Sequence, residues 1–413
     1  MKAIRLLIVI SSMLGVPVLA ADIDSMSTVS NLRESTQLAW RLNPQISALN
    51  SRDAEARAAQ ELATNLTPEP GAVSFSNRDD RLNRNHGQKE IEVELTTPLW
   101  LPGQKTAREQ EAATRINEAL AKRDALRWEI AGEVREAWWN LASARNASAL
   151  AIRRLETARA LDADVIRRYK VGDLSRIDAN LAQTEVHIAE AELIESEATL
   201  AQSEQSLFLL TGAAAPASLG EEQLTASMNA RELADSPLSH PLVARAASAL
   251  NSARARAKVA EQTQRASPEL ALRMVRERSA DDQPYANSIG IRLKIPFSSG
   301  AQVRQASAAV EAETIQAESE MLQIKTRVQL TLEQLLRLQM SVERQVAIAQ
   351  QSRILSDENL TLAEKSFKLG ESDLAALLRI RAAALNAESF LDRQRIARAA
   401  LISRLNQALG VLP

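Results

Sequence analysis

Few residues in this chain could do covalent chemistry. Its three histidines, His86, His187 and His240, are scattered, with none at helical i, i+4 spacing from another, and there is no cysteine. A metal centre therefore lacks its usual ligand set, and no thiol nucleophile exists. The seven methionines are dispersed, so no copper relay is legible. Glu90, Glu92 and Glu94 come nearest to an acid–base constellation. Their period of two puts them side by side on one face of a strand, with Ile91, Val93 and Leu95 on the other. Lining of a watery lumen, balanced by Arg292 and Lys294, is the better account. No catalytic, metal or cofactor residue is expected.

The elements around that strand matter more. From Gln104 to Lys170 there are 67 residues without proline, and apolar side chains recur at Ile130, Val134, Ala137, Leu141 and Ala144. This is the seam of a helix packed on other helices. At ~1.5 Å per residue it would span roughly 100 Å, far more than a globular core needs. Trp138 and Trp139 lie within it and read as helix-packing or groove residues.

A second copy follows. Val328, Leu332, Leu335, Gln339 and Val342 repeat the seam at an offset of 198, and Pro296 answers Pro98 at the same offset. His240-Pro241 answers Asn43-Pro44. Phe367-Lys368-Leu369-Gly370-Glu371 answers Tyr169-Lys170-Val171-Gly172-Asp173. A period this long means duplication of a whole half rather than a solenoid. The division is then 21–212, with strands 71–78 and 88–97, a long helix 104–170 and a return helix 174–211. A linker follows at 213–236. The second half, 237–410, has strands 269–278 and 287–296, a long helix 301–368 and a return helix 372–409.

Residues 1–20 read as a signal peptide: Lys2 and Arg5, an apolar run, then Val18-Leu19-Ala20. The run is short for a membrane anchor, and no later run reaches the ~18 apolar residues of a spanning helix. A net charge of −2 offers no basic face for nucleic acid. Aromatics are 3% of the chain, in keeping with long helices.

Apolar-out, charged-in strands of roughly ten residues are the units of a membrane barrel. Four strands cannot close one, and an open sheet in lipid leaves unpaired edges. Either several chains share a barrel, with two, three or more copies allowed by physics, or the strands form a surface sheet capping a coiled-coil rod.

Together the paired Asn43-Pro44 and His240-Pro241, the strand ends Thr97-Pro98-Leu99 and Ile295-Pro296-Phe297, and the two Gly turns resemble the TolC-type outer membrane efflux factors, over essentially the whole mature chain. The resemblance implies a mainly α fold with a small β part: long coiled-coil helices plus four strands per chain, contributing to a shared twelve-stranded barrel of a homotrimer. It implies an outer-membrane location with a long periplasmic portion. It also implies a periplasmic adaptor, an inner-membrane RND-type transporter and passive conduction rather than enzymatic activity. Tyr169, Val171, Gly172, Phe367, Leu369 and Gly370 match the tips where the adaptor docks. Asp178 matches an acidic position at the closed end. Where members carry an aspartate pair, this chain has Ala376 and Arg379, so Asp173, Glu371, Asp373 and Arg379 join Asp178 as gate positions. The short chain, without a lipidation cysteine, is more similar to the CzcC-like metal-efflux branch. The rival expectation is a periplasmic coiled-coil scaffold or adaptor; an adaptor would need many more short strands.

Overall fold

The computed structural model describes residues 29–82, 86–224 and 240–413. The expected signal peptide and residues 225–236 of the expected linker lie outside the described residues.

Two short helices lead in, α1 (Leu32–Leu42) and α2 (Gln45–Thr64). Asn43 and Pro44 break the chain between them, and the Asn43 Oδ1 accepts from the Gln45 amide at 2.9 Å, capping α2. Next come β1 (Ala72–Asp79), β2 (Lys89–Pro98), the 67-residue α3 (Gln104–Lys170) and its return helix α4 (Arg176–Thr211). The same order recurs as α5 (Pro241–Gln262), β3 (Glu269–Arg278), β4 (Ala286–Lys294), the 69-residue α6 (Gly300–Lys368) and α7 (Leu374–Ala408).

The four strands form one antiparallel meander in the order β1-β2-β3-β4. Phe75 faces Val93, Val93 faces Met274, and Met274 faces Ile289 across the three pairings. Side-chain alternation therefore carries one apolar face across the whole sheet. β1 and β4 are its outer strands and have a neighbour on one side alone.

Below the sheet, α3 is the central helix. It packs against α2 and α4 on one flank and against α5 and α7 on the other, and α6 packs on α5 and α7. The side chains Ile130, Val134, Ala137, Leu141 and Ala144 are all buried, as the seam requires. Leu332 and Val342, at the repeated positions on α6, are buried too, in a cluster with Leu401 and Leu405 of α7. Among the described residues no helix is long and apolar enough to cross a membrane.

Trp138 and Trp139 pack in the largest cluster, with Val29, Leu32, Leu207 and Ala213. Trp138 Nε1 donates to the Gly220 carbonyl at 3.2 Å, and Trp139 Nε1 to Ser403 Oγ at 2.7 Å. These rings are core residues, so the groove alternative falls. Arg135, 3% exposed, sits beside them. It pairs with Glu222 at 2.7 Å, donates to the Val411 carbonyl at 3.1 Å and also meets Gln407. Together with Arg145, which donates to the Pro216 carbonyl, it ties the segment after α4 onto the middle of α3.

Candidate functional site

His240 serves as a helix cap. Its Nδ1 accepts from the Leu242 amide at 3.2 Å, which makes it the N-cap of α5 ahead of Pro241. Its ring meets Trp128 edge-on at 5.0 Å. Burial pushes its pKa down to about 4, against a hydrogen bond with Gln407 that pulls upward. His187 sits exposed on α4, 3.5 Å from Glu190. No group of three metal-ligating side chains exists among the described residues.

The sheet separates two surfaces. Val73, Phe75, Ile91, Val93, Leu95, Leu270, Leu272, Met274, Ile289, Ile291 and Leu293 share one face and all are exposed, Ile291 by 78%. Phe297, just beyond β4, is 91% exposed. A contiguous apolar face of this size marks a surface meant for something other than water. Tyr285 sits at the far end of the sheet, with Arg276 and Arg278 over its ring at 4.6 and 5.3 Å.

The opposite face is polar and charge-paired. Glu90, Glu92 and Glu94 lie there, as expected, but their partners differ from the expectation. Arg292 does reach Glu94. Lys294 pairs instead with Glu269 on the adjacent strand, at 3.2 Å. Glu92 and Glu90 are matched by Arg273 of β3. Its Nε lies 2.6 Å from Glu92 Oε1, and its guanidinium 3.6 Å from Glu90. Arg78 approaches Glu90 from the other side at 3.5 Å. The correction has a simple cause: the antiparallel register puts Arg273 opposite Glu94, next to Glu92, whereas Lys294 faces Glu269. Arg273 was not singled out from the sequence, because β3 shows weaker alternation than β2 and pairing between distant strands is not local information.

At the other end of the helices are the two hairpin turns. Gly172 has φ +88° and Gly370 φ +75°, the left-handed conformation that glycine adopts without a Cβ penalty. Open space surrounds both. Val171 and Leu369 beside them are exposed by 72% and 64%, and Tyr169 by 40%. Phe367 differs: it is 5% exposed, packed with Leu161, Val165 and Leu377. The Arg168 guanidinium lies 5.1 Å from its ring centroid, joining the first hairpin to the second.

The acidic tip residues divide in two. Asp178 closes a capping box: its carboxylate accepts from the Ser175 amide at 3.0 Å and from Ser175 Oγ at 2.7 Å. Asp373 is the N-cap of α7 and accepts from the Ala376 amide at 2.7 Å. Asp173, Glu371 and Arg379 are exposed. The cap signature S-x-x-D was legible in Ser175 and Asp178; the structure gives that carboxylate a local partner.

No protein-family model and no curated protein sequence matches this chain. Solved structures do. CusC, described as undergoing conformational changes accompanying folding and transmembrane channel formation, is similar at 17% identity with a TM-score of 0.77, covering 92% of each chain. The Campylobacter jejuni CmeC outer membrane channel is similar at 16% identity and a TM-score of 0.74, over 99% of this chain and 94% of its own. The outer membrane protein VceC from Vibrio cholerae is similar at 16% identity and 0.75, over 92% and 96%. Long paired helices ending in a four-stranded antiparallel sheet are thus the TolC-like fold of outer membrane channels, and this chain has that fold.

Proposed function

We propose that this protein is the outer-membrane exit duct of a tripartite efflux system, conducting substrate passively outward. The observation that carries the reading is the sheet: one face with a broad, exposed apolar band, the other charge-paired, on a meander whose two outer strands each lack a neighbour on one side. In hydrocarbon, unpaired backbone groups cost several kcal/mol each, so the outer strands must find partners in other copies.

The helices support the same joining. α6 lies at one flank and α2 with α4 at the other, matching β4 and β1 above them. Ile348, Leu355 and Leu362 recur every seven residues along α6 and are exposed, as are Ile177, Ile188 and Ile194 on α4. A heptad stripe without an internal partner suits a neighbouring helix. One copy's α6–β4 flank meeting the next copy's α4–β1 flank is a head-to-tail contact, which closes as a ring. Three copies would give a twelve-stranded barrel, continued by the helices as a periplasmic tube.

In this reading Glu90, Glu92, Glu94, Arg292 and Lys294 line the lumen. The tips bearing Tyr169, Val171, Gly172, Phe367, Leu369 and Gly370 dock a periplasmic adaptor served by an RND-type inner-membrane transporter. Asp173, Asp178, Glu371, Asp373 and Arg379 surround the gate. The two halves, 21–212 and 237–410, are duplicated units joined by a linker at 213–236; the chain is grouped with the metal-efflux branch by resemblance alone, and a duct takes its substrate from the pump it serves. The test is cell fractionation with unheated gels. Recovery in outer membranes as a heat-dissociable trimer supports the duct; recovery as soluble periplasmic monomer favours a scaffold or adaptor and overturns it.

A further inference from the structure

The polar face of the sheet holds a stack of three carboxylates that ought to repel one another. Glu90, Glu92 and Glu94 follow at every second residue of β2, roughly 7 Å apart. A watery tunnel walled by such a stack would draw cations. The structure sets three arginines against it: Arg78 of β1 lies 3.5 Å from Glu90, and two more come from β3 and β4. Arg273, from β3, lies 2.6 Å from Glu92 and donates through Nη2 to its second oxygen at 2.9 Å, with Glu90 at 3.6 Å. Arg292 comes from β4, two strands away from β2, and still reaches Glu94. That reach of roughly 10 Å crosses β3. It does so at Ala271, which pairs with Arg292 in the register and whose methyl is small enough to be passed over; Ala271 is 3% exposed. Glu94 is left 5% exposed, whereas Glu90 and Glu92 on the same strand are half-buried, and it also accepts from Thr96 Oγ1 at 3.1 Å.

Stability does not explain this arrangement. Arg273 and Arg292 keep 39% and 56% of their side chains exposed, and a guanidinium open to water contributes little to stability through its ion pair. Replacing each pair with neutral polar residues would cost the sheet little. What the arginines change is the field along the wall, and a passing ion responds to that field.

Resting on the duct reading above, we propose that Arg273 and Arg292 are specificity-determining residues that, together with Arg78, offset the carboxylate stack and keep the barrel lumen from preferring cations. They act on the permeant ion through the wall charge, without binding it. The reading extends to cargo: a lumen neutralised in this way passes anionic and cationic solutes alike, and selection falls to other parts of the assembly.

The experiment is reversal-potential measurement with the full-length protein in planar bilayers under a KCl gradient. The unsubstituted channel is expected to reverse near zero. R273Q and R292Q each uncover a carboxylate and are expected to shift the reversal toward the potassium equilibrium potential, with the K⁺/Cl⁻ permeability ratio rising several-fold. E92Q/R273Q removes both charges and is expected to return the ratio toward that of the unsubstituted channel. R276Q, altered on the apolar face beside Tyr285, is expected to leave it unchanged. Conducting R273Q and R292Q channels with unshifted reversal potentials would overturn the proposal and leave the duct reading standing. Absence of any conductance from the unsubstituted protein would overturn the duct reading and this proposal with it.

Discussion

At the scale of single residues, His240 makes the clearest measurable claim. Its folded pKa is lowered to about 4, whereas the unfolded chain titrates near the ordinary 6.5. Above pH 6.5 both states are neutral, and His240 takes nothing from stability. As pH falls from 6.5 toward 4 the unfolded state binds the proton first, so stability drops, by at most about 1.4 kcal/mol per pH unit. Chemical denaturation at pH 7 and pH 5 should show this loss. H240N, which can still cap α5, should flatten it; an unchanged slope in H240N would assign the acid sensitivity elsewhere. Asp178 poses a different question, because its carboxylate already serves the Ser175 box. D178A should cost about 1 kcal/mol of hairpin stability. D178N can still accept from the Ser175 amide, so it isolates the charge: a raised conductance of the resting channel assigns Asp178 to the gate, and an unaltered one removes it. The residue scale is also where the sequence was least informative. His240 as a cap was visible in His240-Pro241, whereas Arg135 and Arg273 owe their roles to partners 87 and 181 residues away. No local pattern reports such a separation.

At the scale of elements, the helices and strands were largely legible, because their lengths follow from periodicity and from proline and glycine stops. α3 begins and ends at the expected Gln104 and Lys170. β2 is displaced by one residue, to Lys89–Pro98, and β4 begins one residue early and ends two early, at Lys294, ahead of the proline that closes it. The coupling between hairpins was not legible. Arg168 over Phe367 links the ends of α3 and α6, and Glu388 of α7 accepts from Arg153 of α3 at 3.0 Å and forms an ion pair with Arg353 of α6 at 3.4 Å. Contact between a guanidinium and a ring of this kind contributes about 0.5–2 kcal/mol. R168A should therefore loosen the tips without unfolding the rod. Hydrogen exchange should quicken in residues 161–182 and 363–377 while the cluster around Trp138 keeps its protection. Uniformly faster exchange along α3 would show instead that the contact supports the whole helix.

At the scale of the whole molecule, the amount of apolar surface left exposed is the dominant fact. Ile348, Leu355 and Leu362 on α6 are each about 60% exposed, on a helix whose other faces pack against α5 and α7. Burying one such leucine against a neighbour is worth about 1.5–3 kcal/mol. If α6 meets a neighbouring copy, as the duct reading has it, placing a charge there should be enough to undo assembly. I348D/L355D is expected to migrate as a monomer on unheated gels with its helical circular dichroism retained. A trimer that survives both substitutions would move the contact away from α6. The repeat was visible in the sequence at an offset of 198, yet the sequence could not say that the flanks of the two copies differ. α3 buries side chains along most of its length, whereas α6 does so mainly in its second half.

The outer strands of the sheet have a cellular corollary. A solitary polypeptide carries two raw hydrogen-bonding margins, along β1 and β4, that lipid will not tolerate. On the duct reading it therefore cannot puncture the envelope on its own, and neither can a pair with one seam left open. Insertion is then tied to completing the circle, and a cell making this protein in excess is expected to accumulate stranded subunits for its proteases to clear rather than leaks in its outer barrier.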